Sequence, residues 1–311
     1  MGSNYNRRRL PSIGEAATHP KVRVALSEAI AAADLVDATI EPFAQGGAGV
    51  LFLVEQLGRR RMVLKVPCYA SRPGEEHKLL ERSIAKERRI LEQLACRGTP
   101  RLLHAEAQGR YLIRSYIEGT PLADVGRSPT GQDSQLAAIL MGLLRLARTL
   151  FETFHENPSR CYVIRDFKPA NIVIGRSGAE MTLVDVGSAR PEGEMVSRTR
   201  RAHQLGSGKW VYWAPEQLME KEDCLDRRAD YFALGATAFF VMWGCAPYDN
   251  LEAKPEAALA RYERQYARVR EMLFDRAKMS CLPGEITVFL VGCLRPEPKE
   301  RPRDATPLWL V

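Results

Sequence analysis

The chain predicts an α+β fold in which a strand-rich first part gives way to a helical second part. Three observations predict it. Between Ala38 and Val66, three short apolar runs are separated by glycine-rich or basic turns, the pattern of paired strands. From Leu136 to Phe154, the positions Leu136, Ile139, Leu140, Leu143, Leu144, Ala147, Leu150 and Phe151 form a broad stripe at helical spacing. From Ala229 to Trp243 the chain is apolar nearly all round, as in a helix buried at the centre of a domain. Its 311 residues can hold one large domain or two modest ones.

Residues 1 to about 19 are basic and polar, with Pro11 and Gly14, and are expected to be mobile. After Pro20, Val22, Leu26, Ile30 and Ala33 recur at helical spacing. They predict an amphipathic helix, which we read as a packing brace for the neighbouring lobe rather than a regulatory element. Ala38-Thr39-Ile40-Glu41-Pro42-Phe43 then runs through Ala44-Gln45-Gly46-Gly47-Ala48-Gly49 to a return strand, Val50 to Val54. Glycines at such a turn permit positive φ and let backbone N–H groups approach an anion, although most such turns are simply tight. Met62-Val63-Leu64-Lys65-Val66-Pro67 is a third strand, and a lysine on its buried face is costly unless it meets an anion. Lys78 to Ala95 is helical on Leu79, Ile84, Ile90, Leu91 and Leu94, with Glu87 directed away from that set. Pro100 to Ala107 and Arg110 to Ile117 form a further strand pair.

The second part carries the densest chemistry in Tyr162-Val163-Ile164-Arg165-Asp166-Phe167-Lys168-Pro169-Ala170-Asn171-Ile172-Val173-Ile174. A strand pair would explain the apolar flanks. It would not explain a carboxylate, an ammonium and a carboxamide gathered at the turn between them. Past Ser177-Gly178, Met181-Thr182-Leu183-Val184-Asp185-Val186-Gly187 is another strand ending in an acid and a glycine. Two carboxylates and an asparagine at the mouths of strands can cradle a hard divalent cation and the phosphates it carries. Each of these residues alone is ordinary in a turn; their order, after a glycine-rich hairpin and a buried lysine, is not.

Ile164-Arg165-Asp166 and Asp185-Val186-Gly187 resemble the catalytic loop and the metal-binding DFG element of the protein kinases. The resemblance runs over roughly residues 38 to 305. It implies a bilobal fold, with a basic tail and helical extension at 1–37, a β-rich N-lobe at 38–117 and a larger helical C-lobe at 118–311. Gly46 and Gly49, with Gly47 between them, match the phosphate loop, although Ala44 stands where its first glycine belongs. Leu51 stands where a valine covers adenine, with Val63 expected beside it. Lys65 would hold the α- and β-phosphates, and Glu87, within Ala85-Lys86-Glu87-Arg88-Arg89-Ile90-Leu91, would pair with it. Backbone groups from Ser115 to Ile117 would meet the adenine edge. Arg114 stands at the gatekeeper position, where the family usually has an apolar residue.

In the second part the resemblance makes Asp166 the acceptor or orienter of the substrate hydroxyl proton, and Lys168 the neutraliser of the moving γ-phosphoryl. Asn171, five residues after Asp166 as in the family, and Asp185 would hold Mg²⁺, or Mn²⁺ in its place. Arg165 would bind a phosphate on the activation segment, where Ser197, Thr199 and Ser207 are the candidates amid Arg198, Arg200, Arg201 and Lys209. Trp213-Ala214-Pro215-Glu216 closes that segment, Asp230 anchors the catalytic loop from below, and Arg301 pairs with Glu216. This last series is generally missing from small-molecule kinases. Lys168-Pro169 resembles the Ser/Thr subclass. Ile164 and Val186 depart from the usual His and Phe, but every phosphate- and metal-handling residue is present.

The resemblance therefore implies an ATP-dependent Ser/Thr protein kinase that autophosphorylates in its activation segment. A pseudokinase docking module and a small-molecule or lipid kinase on the same fold are the alternatives. The net charge of +7 is local, in Arg7-Arg8-Arg9, Arg198 to Arg201 and a comb at Arg261, Arg264, Arg268 and Arg270. Without interleaved aromatics it argues against nucleic acid. A long amphipathic helix over 252–278 carries the comb, a solvated basic face or a dock for an acidic partner. Seven cysteines, none in a CxxC pair, read as reduced thiols. No run is long enough to span a bilayer and no apolar segment follows the basic start, so a cytoplasmic protein without a signal peptide is expected.

Overall fold

The structure is a computed structural model that describes residues 12–45, 49–56, 58, 61–71, 74–125, 133–157, 159–176, 178, 180–194, 209–218, 225–248, 255–279 and 282–311. The chain divides into two compact units. Among the described residues, the first holds 12–95 and 100–116, and the second holds 96–99 and the chain from 117 onward.

The first unit opens with α1, Ile13–Thr18, inside the stretch expected to be mobile. The reason is a capping box: Ser12 Oγ accepts from the Glu15 amide at 3.2 Å, and Glu15 Oε2 accepts from the Ser12 amide at 2.6 Å. Pro20 then starts α2, Pro20–Ala32, at a position where its missing N–H costs nothing. Its fully buried residues are Val22, Ala25 and Ala29, while Leu26 and Ile30 are only partly covered. Small side chains let the helix lie close to the sheet beneath it.

That sheet has five antiparallel strands, β1 Ala38–Gln45, β2 Gly49–Gln56, β3 Met62–Pro67, β4 Leu102–Ala105 and β5 Leu112–Ser115, in the order β1-β2-β3-β5-β4. Its two faces are divided by the period of two. Val50, Phe52, Val54, Leu64, Val66 and Ile113 form one core with Ala16, Val22, Ala25 and Ala29 of the two helices. Val63 and Lys65 are out of phase with that set. Lys65 meets α3, His77–Gln93.

Among its described residues the second unit is mainly helical, with two small sheets. β6, Thr120–Pro121, β8, Ile172–Ile174, and β9, Met181–Leu183, form one; β7, Tyr162–Val163, and β10, Arg190–Pro191, form the other. The two apolar flanks of the charged loop are thus not partners of one another. Val163 faces Arg190 and Ile172 faces Leu183, because a left-handed turn at Arg165 (φ +71°) and a 3₁₀ turn at Pro169–Asn171 redirect the chain between them.

The short α4, Leu122–Val125, is followed by α5, Asp133–Phe154, on the predicted stripe. After α6, Pro215–Leu218, comes α7, Arg228–Trp243, buried from Ala229 through Met242 and ended by Gly244 in the left-handed conformation. α8, Pro255–Met279, and α9, Gly284–Cys293, complete the unit, and a 3₁₀ turn, Thr306–Leu310, lies beyond Arg301.

Gly119, just before β6, stands at φ +154°, where a Cβ would lie 1.9 Å from the Ile174 carbonyl oxygen of β8. Gly119→Ala is therefore expected to destabilise the protein by about 2 kcal/mol or more, read as a lowered melting temperature. An unchanged melting temperature would show that β6 can lift off β8 freely.

Candidate active site

In the first unit, Lys65 Nζ donates to Glu87 Oε2 at 2.6 Å, joining β3 to α3, with Glu87 only 1% exposed. Two buried charges tolerate this setting because each is the other's counter-ion; removing either strands the other at a cost of about 3–5 kcal/mol. Leu51 lies opposite Lys65 across the β2–β3 ladder. Gly49 covers the strand so closely that a Cβ would meet Val66 O at 2.9 Å and Lys65 Cγ at 3.1 Å. Val63 is buried on the Lys65 side of β3, opposite Arg114 of β5, which is itself buried. Ser115 ends β5, tied to residue 101 by two hydrogen bonds of 2.9 Å, while Ile117 belongs to the second unit. Gly46 and Gly47 lie outside the described residues.

The second unit is built around Asp230, fully buried in the first turn of α7. Its Oδ2 accepts from the Ile164 amide at 2.7 Å and from His155 Nε2 at 2.8 Å, and its Oδ1 accepts from the Arg165 amide at 2.7 Å. The two consecutive amides are held in one direction, and Arg165 takes the left-handed turn that follows from it, a conformation uncommon outside glycine. Ile164, in the place of the usual histidine, is buried in the apolar core. His155, just beyond α5, reaches Asp230 from a different element and stacks on Phe151 with ring centres 4.4 Å apart. No pattern of charge or period in the sequence marked His155.

On the loop so anchored, Lys168 Nζ contacts both carboxylate oxygens of Asp166. Asn171 Nδ2 donates to the Asp166 backbone oxygen at 3.0 Å and to its Oδ2 at 2.9 Å. Both donors aim the same carboxylate. The Val184 amide donates to the Asn171 carbonyl at 2.8 Å, which carries the β8–β9 pairing up to the residue before Asp185, and Asp185 Oδ1 accepts from the Gly187 amide at 2.9 Å. Val186, in the place of the usual phenylalanine, is buried.

Behind the loop, Glu216 accepts from Arg301 Nη1 at 2.6 Å and Nη2 at 2.8 Å, a buried bidentate pair. Arg301 also donates to the carbonyls of Arg295, Pro296 and Arg228, so its whole fork is committed. Gln217, which the sequence reading passed over, accepts from the Ala214 amide at 3.0 Å and donates to the Arg165 carbonyl at 3.2 Å. It links the Trp213-to-Glu216 segment to the loop. Nearby, burial would raise the Asp226 carboxyl, but hydrogen bonds from Arg228 outweigh it and hold the group below its ordinary range. Ser197, Thr199 and Ser207 lie outside the described residues.

The site residues therefore fall into two sets, one in each unit. A buried lysine paired with its acid lies in the first. In the second lie a carboxylate aimed by an ammonium and an amide, and a second carboxylate, Asp185, one residue beyond the strand bond to Asn171. Residues 40–307 match the model of the protein kinase domain, and the chain belongs to the protein kinase family. Serine/threonine-protein kinase 16 of Mus musculus is 26% identical over 281 residues, 85% of this chain and 85% of its own length. Tyrosine-protein kinase MasK of Myxococcus xanthus is 27% identical over 281 residues, 84% of this chain but 40% of its own. Serine/threonine-protein kinase PknB of Mycobacterium leprae is 29% identical over 142 residues, 44% of this chain and 20% of its own.

Asp230→Asn would turn an NH₂ toward one of the donors that now point at the carboxylate. It is expected to cost about 2–3 kcal/mol of stability and to lower phosphotransfer well below what that loss alone explains, because the loop loses its direction. Chemical denaturation and an activity assay on the folded fraction would check it.

Proposed function

We propose that the protein is an ATP-dependent Ser/Thr protein kinase that transfers the γ-phosphoryl group to protein hydroxyls. The observation that carries this reading is the Asp166 carboxylate held by Lys168 and Asn171 on a loop fixed by Asp230. In the reaction a substrate oxygen forms a bond to the γ-phosphorus as the bond from that phosphorus to the β-bridging oxygen breaks, and Asp166 takes or orients the hydroxyl proton. Lys168, already beside Asp166, meets the negative charge of the moving phosphoryl group. Lys65, kept in place by Glu87, serves the α- and β-phosphates.

The residues fit a hard divalent cation. Asn171 commits its Nδ2 to Asp166, which directs Oδ1 elsewhere, and Asp185 adds a carboxylate; Mg²⁺ typically takes one or two protein carboxylates and completes its shell with phosphates and water. Among the described residues no group of three or more His, Cys, Asp or Glu could hold a metal ion. When bound, Mg²⁺ or Mn²⁺ would neutralise phosphate charge.

Hydroxyl specificity rests on Lys168-Pro169 and on relatives named as Ser/Thr kinases, with MasK, a tyrosine kinase by name, as the counterweight. Autophosphorylation at Ser197, Thr199 or Ser207, read by Arg165, belongs to the same proposal. So does the docking of an acidic partner on α8, where Arg264, Arg268 and Arg270 are exposed. No helix among the described residues is long and apolar enough to cross a membrane.

Purified protein given labelled ATP and Mg²⁺ should phosphorylate itself or generic substrates on serine and threonine, as read by phosphoamino-acid analysis. Asp166→Asn should lower transfer about 10²- to 10⁴-fold while binding nucleotide as before. Nucleotide binding by the unaltered protein with no transfer would favour a pseudokinase docking module. Phosphotyrosine alone would move it to the tyrosine subclass.

A further inference from the structure

The first unit contains a contact that catalysis as described does not use. Tyr69, four residues beyond Lys65, is buried in the core that the α1–α2 pair forms with the sheet. Its ring stacks on His19 at the head of α2, with centres 5.7 Å apart, and Lys21 Nζ lies 5.3 Å over its centre. Beside His19, whose ring also meets the His77 ring edge-on at 5.7 Å, it meets α3 three times. His77, the first residue of α3, packs edge-on against the ring at 4.9 Å, and its Nε2 donates to the Tyr69 carbonyl at 3.1 Å. One turn further on, Glu81 Oε1 accepts from the Tyr69 hydroxyl at 2.9 Å. Burial, then the Glu81 carboxylate, push the phenol well above its usual range, so it remains a donor across physiological pH.

The same turn of α3 is held from a second direction. Gly109, between β4 and β5, stands at φ +88°, and a Cβ there would be 1.9 Å from the Glu81 carbonyl oxygen. Arg110 follows, and its Nε donates to Glu28 of α2 at 2.7 Å while its guanidinium also faces Glu106. The α1–α2 pair thus reaches the start of α3 by an aromatic route, through Tyr69 and the His19–His77 contact, and by a polar one through Arg110; only Tyr69 among these bonds the Glu81 side chain through a hydroxyl.

We propose that Tyr69 is a positioning residue for the Lys65–Glu87 pair, transmitting the packing of the α1–α2 pair to α3 through its hydroxyl bond to Glu81. Glu87 lies six residues, about 9 Å, along α3 from Glu81. A helix is stiff over that length, so rotation at Glu81 is rotation at Glu87. With side chains reaching about 5–6 Å from the axis, a turn of about 20° moves the carboxylate by roughly 2 Å. That is enough to break a hydrogen bond of 2.6 Å. Tyr69 therefore fixes an azimuth. The proposal rests on the kinase reading only for its consequence in turnover; its consequence in α3 does not depend on that reading.

The test uses the full chain as Tyr69→Phe, Glu81→Ala and the double variant. Hydrogen exchange is measured without nucleotide, and kcat and KM are measured separately for ATP and for a protein substrate. Tyr69→Phe keeps the ring and removes only the hydroxyl. It should speed exchange in α3 about fivefold and leave the β1–β2 hairpin unchanged. Turnover with ATP should fall by a similar factor with the KM for the protein substrate unmoved. Glu81→Ala should do the same, and the double variant no more than either, since both remove one contact. Unchanged exchange in α3, equal acceleration in the hairpin, or additive losses in the double variant would each overturn the proposal. Faster exchange in α3 in a protein whose unaltered form transfers no phosphate would uphold the contact and count against the kinase reading.

Discussion

One buried carboxylate governs the second unit. Asp230 is satisfied by two successive backbone amides and an imidazole. A carboxylate removed from water is tolerable only when its lone pairs are filled, and here the donors come from the end of α5 and from the loop itself. The conditions for burying Asp230 and for shaping the loop are therefore one condition. From it follow the left-handed Arg165, the placement of Asp166 beyond it, and the carbonyl that Gln217 reads from the other side.

The first unit solves a similar problem differently. Lys65 and Glu87 neutralise each other across two elements, so the strand and the helix cannot both be charged and independent. The Arg301–Glu216 pair repeats the device, with the backbone carbonyls of residues 228, 295 and 296 added around the guanidinium. In each case the burial of charge is useful mainly for specificity of arrangement, since an apolar replacement would pack as well but would direct nothing.

Much of this could be read from the residues in order. Periodicity placed β3 as observed and the main helices to within three residues at either end, because apolar stripes report burial directly. The short loop with Asp166, Lys168 and Asn171 was visible because three polar groups between apolar runs have no packing explanation. The pairing of the runs was not visible. Val163 and Ile172 look like partners by sequence distance, and only the bend at Arg165 sends them to different sheets. His155 and Gln217 were missed for a related reason: each acts on a residue more than fifty positions away, and neither breaks the pattern around it. α1 was lost to composition, although Ser12 and Glu15 carry its capping signature openly.

The alternation along β3 has a consequence of its own. Leu64 and Val66 belong to the core under α1 and α2, whereas Lys65 belongs to the side that meets α3. Slipping the strand by one residue would exchange the two sets and drive an ammonium into hydrocarbon while leaving Glu87 without it. A mispaired sheet is then penalised twice for a single error. Lys65 thus proofreads the strand that carries it, so the assembled sheet and the correctly aimed lysine are reached together or not at all.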